Sequence, residues 1–145
     1  MSNCVRITVG VSVVSYDRMC QDIIALLGGM VPDEGWNKGD PYSRRGQDKI
    51  YKFSRWTVVE RGADLVEGEQ LVNRLIARLT PLQSLFRALP PEMNVSFQVS
   101  LTEDSDVFSF GLDRDQVEFI ASIRAEVDMS FVIRPVPFPP IIVDG

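Results

Sequence analysis

Histidine is missing from this chain of 145 residues, and its absence excludes more chemistry than any residue present points to. Without imidazole there is no Ser-His-Asp or Cys-His nucleophile system, no ordinary general base near neutral pH and no His-containing zinc site. Cysteine is scarce. Cys4 and Cys20 show neither metal-ligand spacing nor a disulfide framework, and read as two reduced thiols of a cytosolic protein. No apolar run approaches the roughly 20 residues that a membrane-spanning helix needs. The first residues, Met1 to Arg6, lack the basic start and apolar core of a secretory signal, so none is expected and a cytoplasmic location follows. Positive charge is in deficit: 15 Lys and Arg against 20 Asp and Glu leave a net −5 and a pI of about 4.7. That balance weighs against broad contact with a polyanion such as nucleic acid. Carboxylate, lysine or tyrosine chemistry stays open, but no catalytic set is expected.

What is present is an ordinary globular composition, 45% hydrophobic and 24% charged, at a length that suits one domain with a real core. Val5, Ile7, Val9, Val11 and Val13 alternate with smaller or polar residues, which is the pattern of a strand with one buried face. The same period-two pattern recurs over 50–59, 95–101 and 127–133. Apolar residues at helical spacing predict helices over about 16–28, 67–89 and 113–124, with Ser15 or Asp17 and then Asp113 as caps. Thr80-Pro81-Leu82-Gln83 has the form of a capping box with proline at the first helical position, so the long helix is expected to break there. The segments 16–31 and 112–127 echo each other, sharing an Asp-Arg start. The expected fold is α+β: an antiparallel-dominated sheet with helices on one face, ferredoxin-like or a repeated split β-α-β. It fills one domain over 1–133. The remaining 134–145 hold four prolines and read as an extended tail, with Phe138, Ile141, Ile142 and Val143 too apolar to stay solvated.

One stretch stands apart. Between Gly35 and Trp56 lie both tryptophans and six cations, Lys38, Arg44, Arg45, Lys49, Lys52 and Arg55, against Asp40 and Asp48. The surplus of four leaves −9 for everything else. Arginine forks suit carboxylates and phosphates, and the indoles of Trp36 and Trp56 suit stacking or anchoring. Gly35, Gly39 and Gly46 match neither the dinucleotide nor the P-loop fingerprint, so no cofactor is expected. Asp40 before Pro41 reads as a turn former rather than a metal ligand, and the short acidic run Glu103, Asp104 and Asp106 lacks the length of a calcium loop. Trp36, Lys38, Asp40, Arg44, Arg45 and Trp56 are the candidate binding residues.

The run Gly35-Trp36-Asn37-Lys38-Gly39-Asp40-Pro41, followed by Arg44-Arg45-Gly46 and Trp56, resembles the signature of the bacterial family called domain of unknown function 4279. The order of strands and helices fits over roughly residues 4–133. The resemblance implies a small cytosolic bacterial domain to which no enzymatic activity belongs, some members of which look like antitoxins or immunity proteins by context. It supplies no catalytic residues.

Two readings emerge. One is a non-catalytic protein-binding module, immunity- or antitoxin-like, whose net negative charge helps it engage a basic partner. The other is a binder of a small anion or nucleotide, RNA included, through the basic stretch. Nothing in the residues fixes the oligomeric state.

Overall fold

In the computed structural model, residues 5–62, 65–103 and 110–133 are described. The main sheet has five strands: β1 (Val5–Ser15), β2 (Glu34–Trp36), β5 (Ser54–Gly62), β6 (Asn94–Glu103) and β7 (Glu126–Ile133). Their order is β2-β5-β1-β6-β7. Two further strands, β3 (Pro41–Arg44) and β4 (Gln47–Ile50), form a separate hairpin. The helices are α1 (Cys20–Leu26), α2 (Leu65–Leu79), α3 (Gln83–Arg87) and α4 (Arg114–Ser122). The protein is α+β, with every pairing antiparallel except β6 with β7.

The alternation in the sequence builds this sheet directly. Ile7, Val9, Val11 and Val13 point to one face and are at most 1% exposed. Their cross-strand neighbours Trp56, Val58, Val95, Phe97, Val99 and Leu101 share that face and that burial. The apolar stripe of α2, Leu71, Val72, Leu75 and Leu79, lies against it, joined by Ile23 and Leu27 around α1, Phe86 of α3, and Ile120 and Ile123 of the α4 region. Full burial of each such side chain contributes about 1.5–3 kcal/mol, so this single layer of helices on one sheet face carries the fold. Among the described residues no helix lies on the opposite face.

β5 and β6 both run antiparallel to β1 and flank it, so β5-α2-β6 is a split unit with β1 inserted in its middle. The second unit, β6-α4-β7, is not split: its strands are neighbours and parallel. The α4 cap is as expected. The Gln116 amide N–H donates to Asp113 Oδ1 at 2.8 Å, and the Asp113 N–H donates back to Gln116 Oε1 at 2.9 Å.

Four expectations need correction. The extended stretch 50–59 is two strands in two sheets, parted at 51–53, because the hairpin ends at Ile50 and the chain turns before β5. The stretch before it, expected as one loop, contains β2 and the hairpin. The first helix starts at Cys20, not near 16, because Ser15 Oγ accepts the N–H groups of Asp17 and Arg18 and turns the chain away. The long helix does break at Thr80, into a 3-10 turn and then α3, with Pro81 opening the turn. Thr80 is not the cap, however; its hydroxyl donates back to the Ile76 carbonyl at 2.7 Å.

The edge strand is less covered than its alternation predicts. Val127, Met129 and Phe131 face the helical layer yet remain 51%, 39% and 42% exposed, since α4 alone among the described elements lies over this side. Cys4, the acids Asp104 and Asp106, and the tail 134–145 lie outside the described residues.

Candidate binding site

The hairpin is made by a two-residue turn. Arg45 and Gly46 both have positive φ, 53° and 74°, the geometry of a primed turn that matches strand twist. Its register pairs Tyr42 with Lys49 and Arg44 with Gln47, so these four share one face. Arg44, Arg45, Gln47 and Lys49 line an open hollow of about 390 Å3. Among the described residues none of these three cations meets a carboxylate within ion-pair distance. In an acidic protein that is a choice of placement, since acids to pair with are plentiful.

A column of aromatic rings joins this hairpin to the sheet. Tyr42 stacks on Tyr51 with centroids 4.2 Å apart, and Tyr51 stacks on Trp36 at 4.2 Å and 13°. The Arg55 guanidinium lies 5.2 Å from the Trp36 centroid. With Tyr51 on one face of the indole, the guanidinium takes the other, so Trp36 has no free face left for a ligand. Tyr42 ends the column. Stacked pairs and cation–π contacts contribute about 0.5–1.5 kcal/mol each, which holds the hairpin against the body without a shared backbone ladder.

The base of the hairpin is fixed by the Asn37–Asp40 turn. Asp40 Oδ2 accepts the Asn37 N–H at 2.8 Å, and Tyr51 N–H donates to the Asp40 carbonyl at 2.9 Å. Asn37 Oδ1 accepts the Cys20 N–H at 2.7 Å. Lys38 donates through its backbone N–H to Ser54 Oγ and through Nζ to the Tyr16 carbonyl at 3.1 Å. β2 can approach β5 here only because position 35 is glycine; a Cβ would sit 2.9 Å from the Arg55 carbonyl oxygen.

The six candidates therefore separate. Arg44 and Arg45 stand together at the hairpin tip. Trp36, Lys38 and Asp40 hold the hairpin's base, and none of them lines the hollow. Trp56 is on the other side of the sheet, 0% exposed, its Nε1–H donating to the Met30 carbonyl at 3.0 Å and its ring edge-on to Phe86. It is a core anchor. Tyr42, Gln47 and Tyr51 were not singled out from the sequence, and Lys49 was counted among the cations without being made a candidate. Arg45-Gly46 is a poor turn signal beside Asn-Gly, and without the turn the register that gathers these side chains is invisible.

Other chemistry is sparse. Among the described residues no three acids or cysteines gather where a metal ion could be held. The Cys20 thiol is free, its pKa pushed up by burial, which is the reverse of an activated nucleophile. The strongest ionic cluster is structural: Arg78 of α2 donates to Asp33 Oδ2 at 3.0 Å, to Glu60 Oε1 at 3.3 Å and to the Val59 carbonyl. Partial burial opposes ionisation of Asp33, but the hydrogen bonds from Arg78 and the Val59 N–H, with the charges of Arg78 and Arg61, outweigh it and hold the carboxyl below its ordinary value. No helix among the described residues is long and apolar enough to cross a membrane.

The profile of the family described as Domain of unknown function (DUF4279) matches residues 6–132, and the chain belongs to that family. No curated protein and no solved structure matches the chain.

Proposed function

We propose that this is a non-catalytic, cytoplasmic protein-binding domain, of the bacterial immunity or antitoxin kind that the family resemblance suggests, and that its contact element is the β3–β4 hairpin. The observation that carries the reading is the hairpin tip itself: Arg44, Arg45 and Lys49 beside one hollow, each without an acid partner among the described residues. Arg45 sharpens it. A long side chain at φ 53° is strained where asparagine would be at ease, so the turn is built for the cation at its apex and not for stability. The tip suits an acidic segment, while the −9 carried elsewhere favours basic surroundings for that segment on the partner.

A second reading has its own support. The outer face of Tyr42 ends the stack on the same hairpin face as Arg44 and Lys49, an arrangement that suits the base and phosphates of a nucleotide. The test is one titration series at low salt with a glutamate-rich peptide, ATP and oligouridylate, on the wild type and on Arg44→Ala/Arg45→Ala. The protein-binding reading expects the peptide to bind and the double variant to lose it with its melting temperature held. Binding of ATP or oligouridylate in preference to the peptide supports the second reading. A double variant that melts lower and binds as before makes the hairpin scaffold.

A further inference from the structure

The uncovered face of the main sheet holds a charge with no counter-charge. Arg55, in β5, is half-buried there, and among the described residues no carboxylate comes within ion-pair distance of it. Its direct contacts are neutral acceptors and a ring, while the register sets Glu34, opposite Thr57, and Asp128, opposite Gln98, on the same face beyond ion-pair distance. Nε and Nη2 donate to Ser12 Oγ at 3.2 and 3.0 Å, Nη2 donates to Gln98 Oε1 at 2.7 Å, and the guanidinium lies over Trp36. Ser12, 0% exposed, is itself held by Thr57 Oγ1 at 2.8 Å, and Gln98 is steadied by Ser96. Four strands thus converge to fix one guanidinium: β1 through Ser12, β2 through Trp36, β5 through Thr57 and Arg55 itself, and β6 through Gln98.

This arrangement uses the donors selectively. The N–H of Nε and both N–H groups of Nη2 are committed, and Nη1 has no protein acceptor among the described residues. The indole Nε1–H of Trp36, next to the guanidinium, is buried and also has no acceptor. A half-buried cation whose direct contacts carry no negative charge is less well compensated than an ion-paired one, and one oriented by a hydrogen-bonded network has already lost the entropy that a ligand would otherwise remove. We infer that Arg55 is the centre of a second anion site, on the open sheet face, that takes a single carboxylate. One uncompensated charge balances one carboxylate. A phosphate dianion would ask for a second cation, and the nearest strand neighbour on this face with a positive charge, Arg61, is already paired with Glu34. The carboxylate is that of a free organic acid or of an acidic side chain on a bound protein; the chemistry at Arg55 is the same. The inference is independent of the hairpin reading, since no residue of the hollow takes part.

Trp36 reports on it. The chain has two tryptophans, and Trp56 is sealed on the other face, so a change of indole emission on titration comes from Trp36. Acetate, inorganic phosphate and a short aspartate-containing peptide would be titrated into the full chain, with emission and melting temperature read together. Saturable quenching or enhancement by acetate, with a rise in melting temperature, is expected, and phosphate should bind more weakly. Affinity for acetate equal to that for the peptide assigns the free acid as the source, and peptide affinity about tenfold higher assigns the protein carboxylate, one further charge-assisted contact being of that order. Arg55→Lys keeps the charge without the fork and should weaken binding about tenfold or more. Arg87→Ala, which removes an exposed cation of α3, should leave acetate binding within about twofold. If the wild type shows no saturable response to acetate or peptide, the inference is wrong whether or not any variant folds. Equal responses in wild type and a folded Arg55→Lys overturn it as well.

Discussion

The two faces of the main sheet are made from the same strands and behave as different materials. On the helical side Trp56 is fully buried, its N–H satisfied by Met30 and its ring packed against Phe86. On the open side Trp36, paired across the β2–β5 ladder from Arg55, is half-buried, its N–H has no acceptor, and its ring is sandwiched by tyrosine and arginine. Over β1, β5 and β6 the first face is closed by apolar packing. The second is held by polar and ring contacts that leave donors and a charge over. Stability is concentrated on one side of a single sheet, and both proposed binding surfaces lie on the other and in the hairpin attached to it.

Truncating the two tryptophans tests that division most strongly. Trp56→Ala should lower stability by about 3–5 kcal/mol, the range for a large aromatic removed from a packed core, read by denaturant melts. Trp36→Ala should cost less, about 1–3 kcal/mol from its contacts with the Tyr51 and Phe53 rings and the Arg55 guanidinium, and should loosen the hairpin locally without unfolding the sheet. Equal losses would break the comparison.

A smaller effect concerns the ionic cluster that ties α2 to the sheet's edge. Asp33 is held below its ordinary carboxyl pKa, so its contribution is present above the unfolded value of 3.8 and is lost as the pH falls from there through the folded value. Thermal melts should show a step down in melting temperature on that acid limb. Asp33→Asn should lower the melting temperature at neutral pH and flatten that limb. A variant with the same acid profile as the wild type would remove Asp33 from the account.

At the hairpin tip the expected stability changes are smallest and the functional ones largest. Arg44→Ala/Arg45→Ala should alter stability by no more than about 1 kcal/mol, because exposed cations without partners contribute little. Arg45→Asn alone should raise stability by a few tenths to about 1 kcal/mol, asparagine being suited to the positive φ of that turn, while weakening binding of an acidic peptide. A gain in stability with no loss of binding would leave the strained arginine without a purpose.

How much of this was legible in the residues depends on the kind of interaction. Period-two alternation located β1, β6 and β7, most of β5, and the buried faces of β1 and β6, because in a strand the side is set by position alone. The helix break at Thr80 was legible for the same local reason, proline's missing N–H, although the threonine's own bond ran backwards to Ile76 rather than forwards as a cap. The short strands were not legible. β2, β3 and β4 are three or four residues long, too short for a period, and the Arg45-Gly46 turn lacks the usual asparagine. The candidate site was legible as composition, a cationic stretch with two indoles, but not as geometry.

The sequence by itself determined which face of β1 and β6 would be covered, that Asp113 would cap a helix, and that the positive charge of an acidic chain would be gathered in the stretch that holds both tryptophans. Those are properties of neighbouring residues and of spacing, and they do not wait for the fold. Only the tertiary structure decided that Trp56 would lie in the core and Trp36 against an arginine, that Lys38 and Asp40 would be spent on a turn, and that Ser12, Thr57 and Gln98 would close around Arg55. Those partners are 43 and 45 residues apart along the chain where they meet. No local pattern carries such a meeting, because the register of β1 between β5 and β6 creates it.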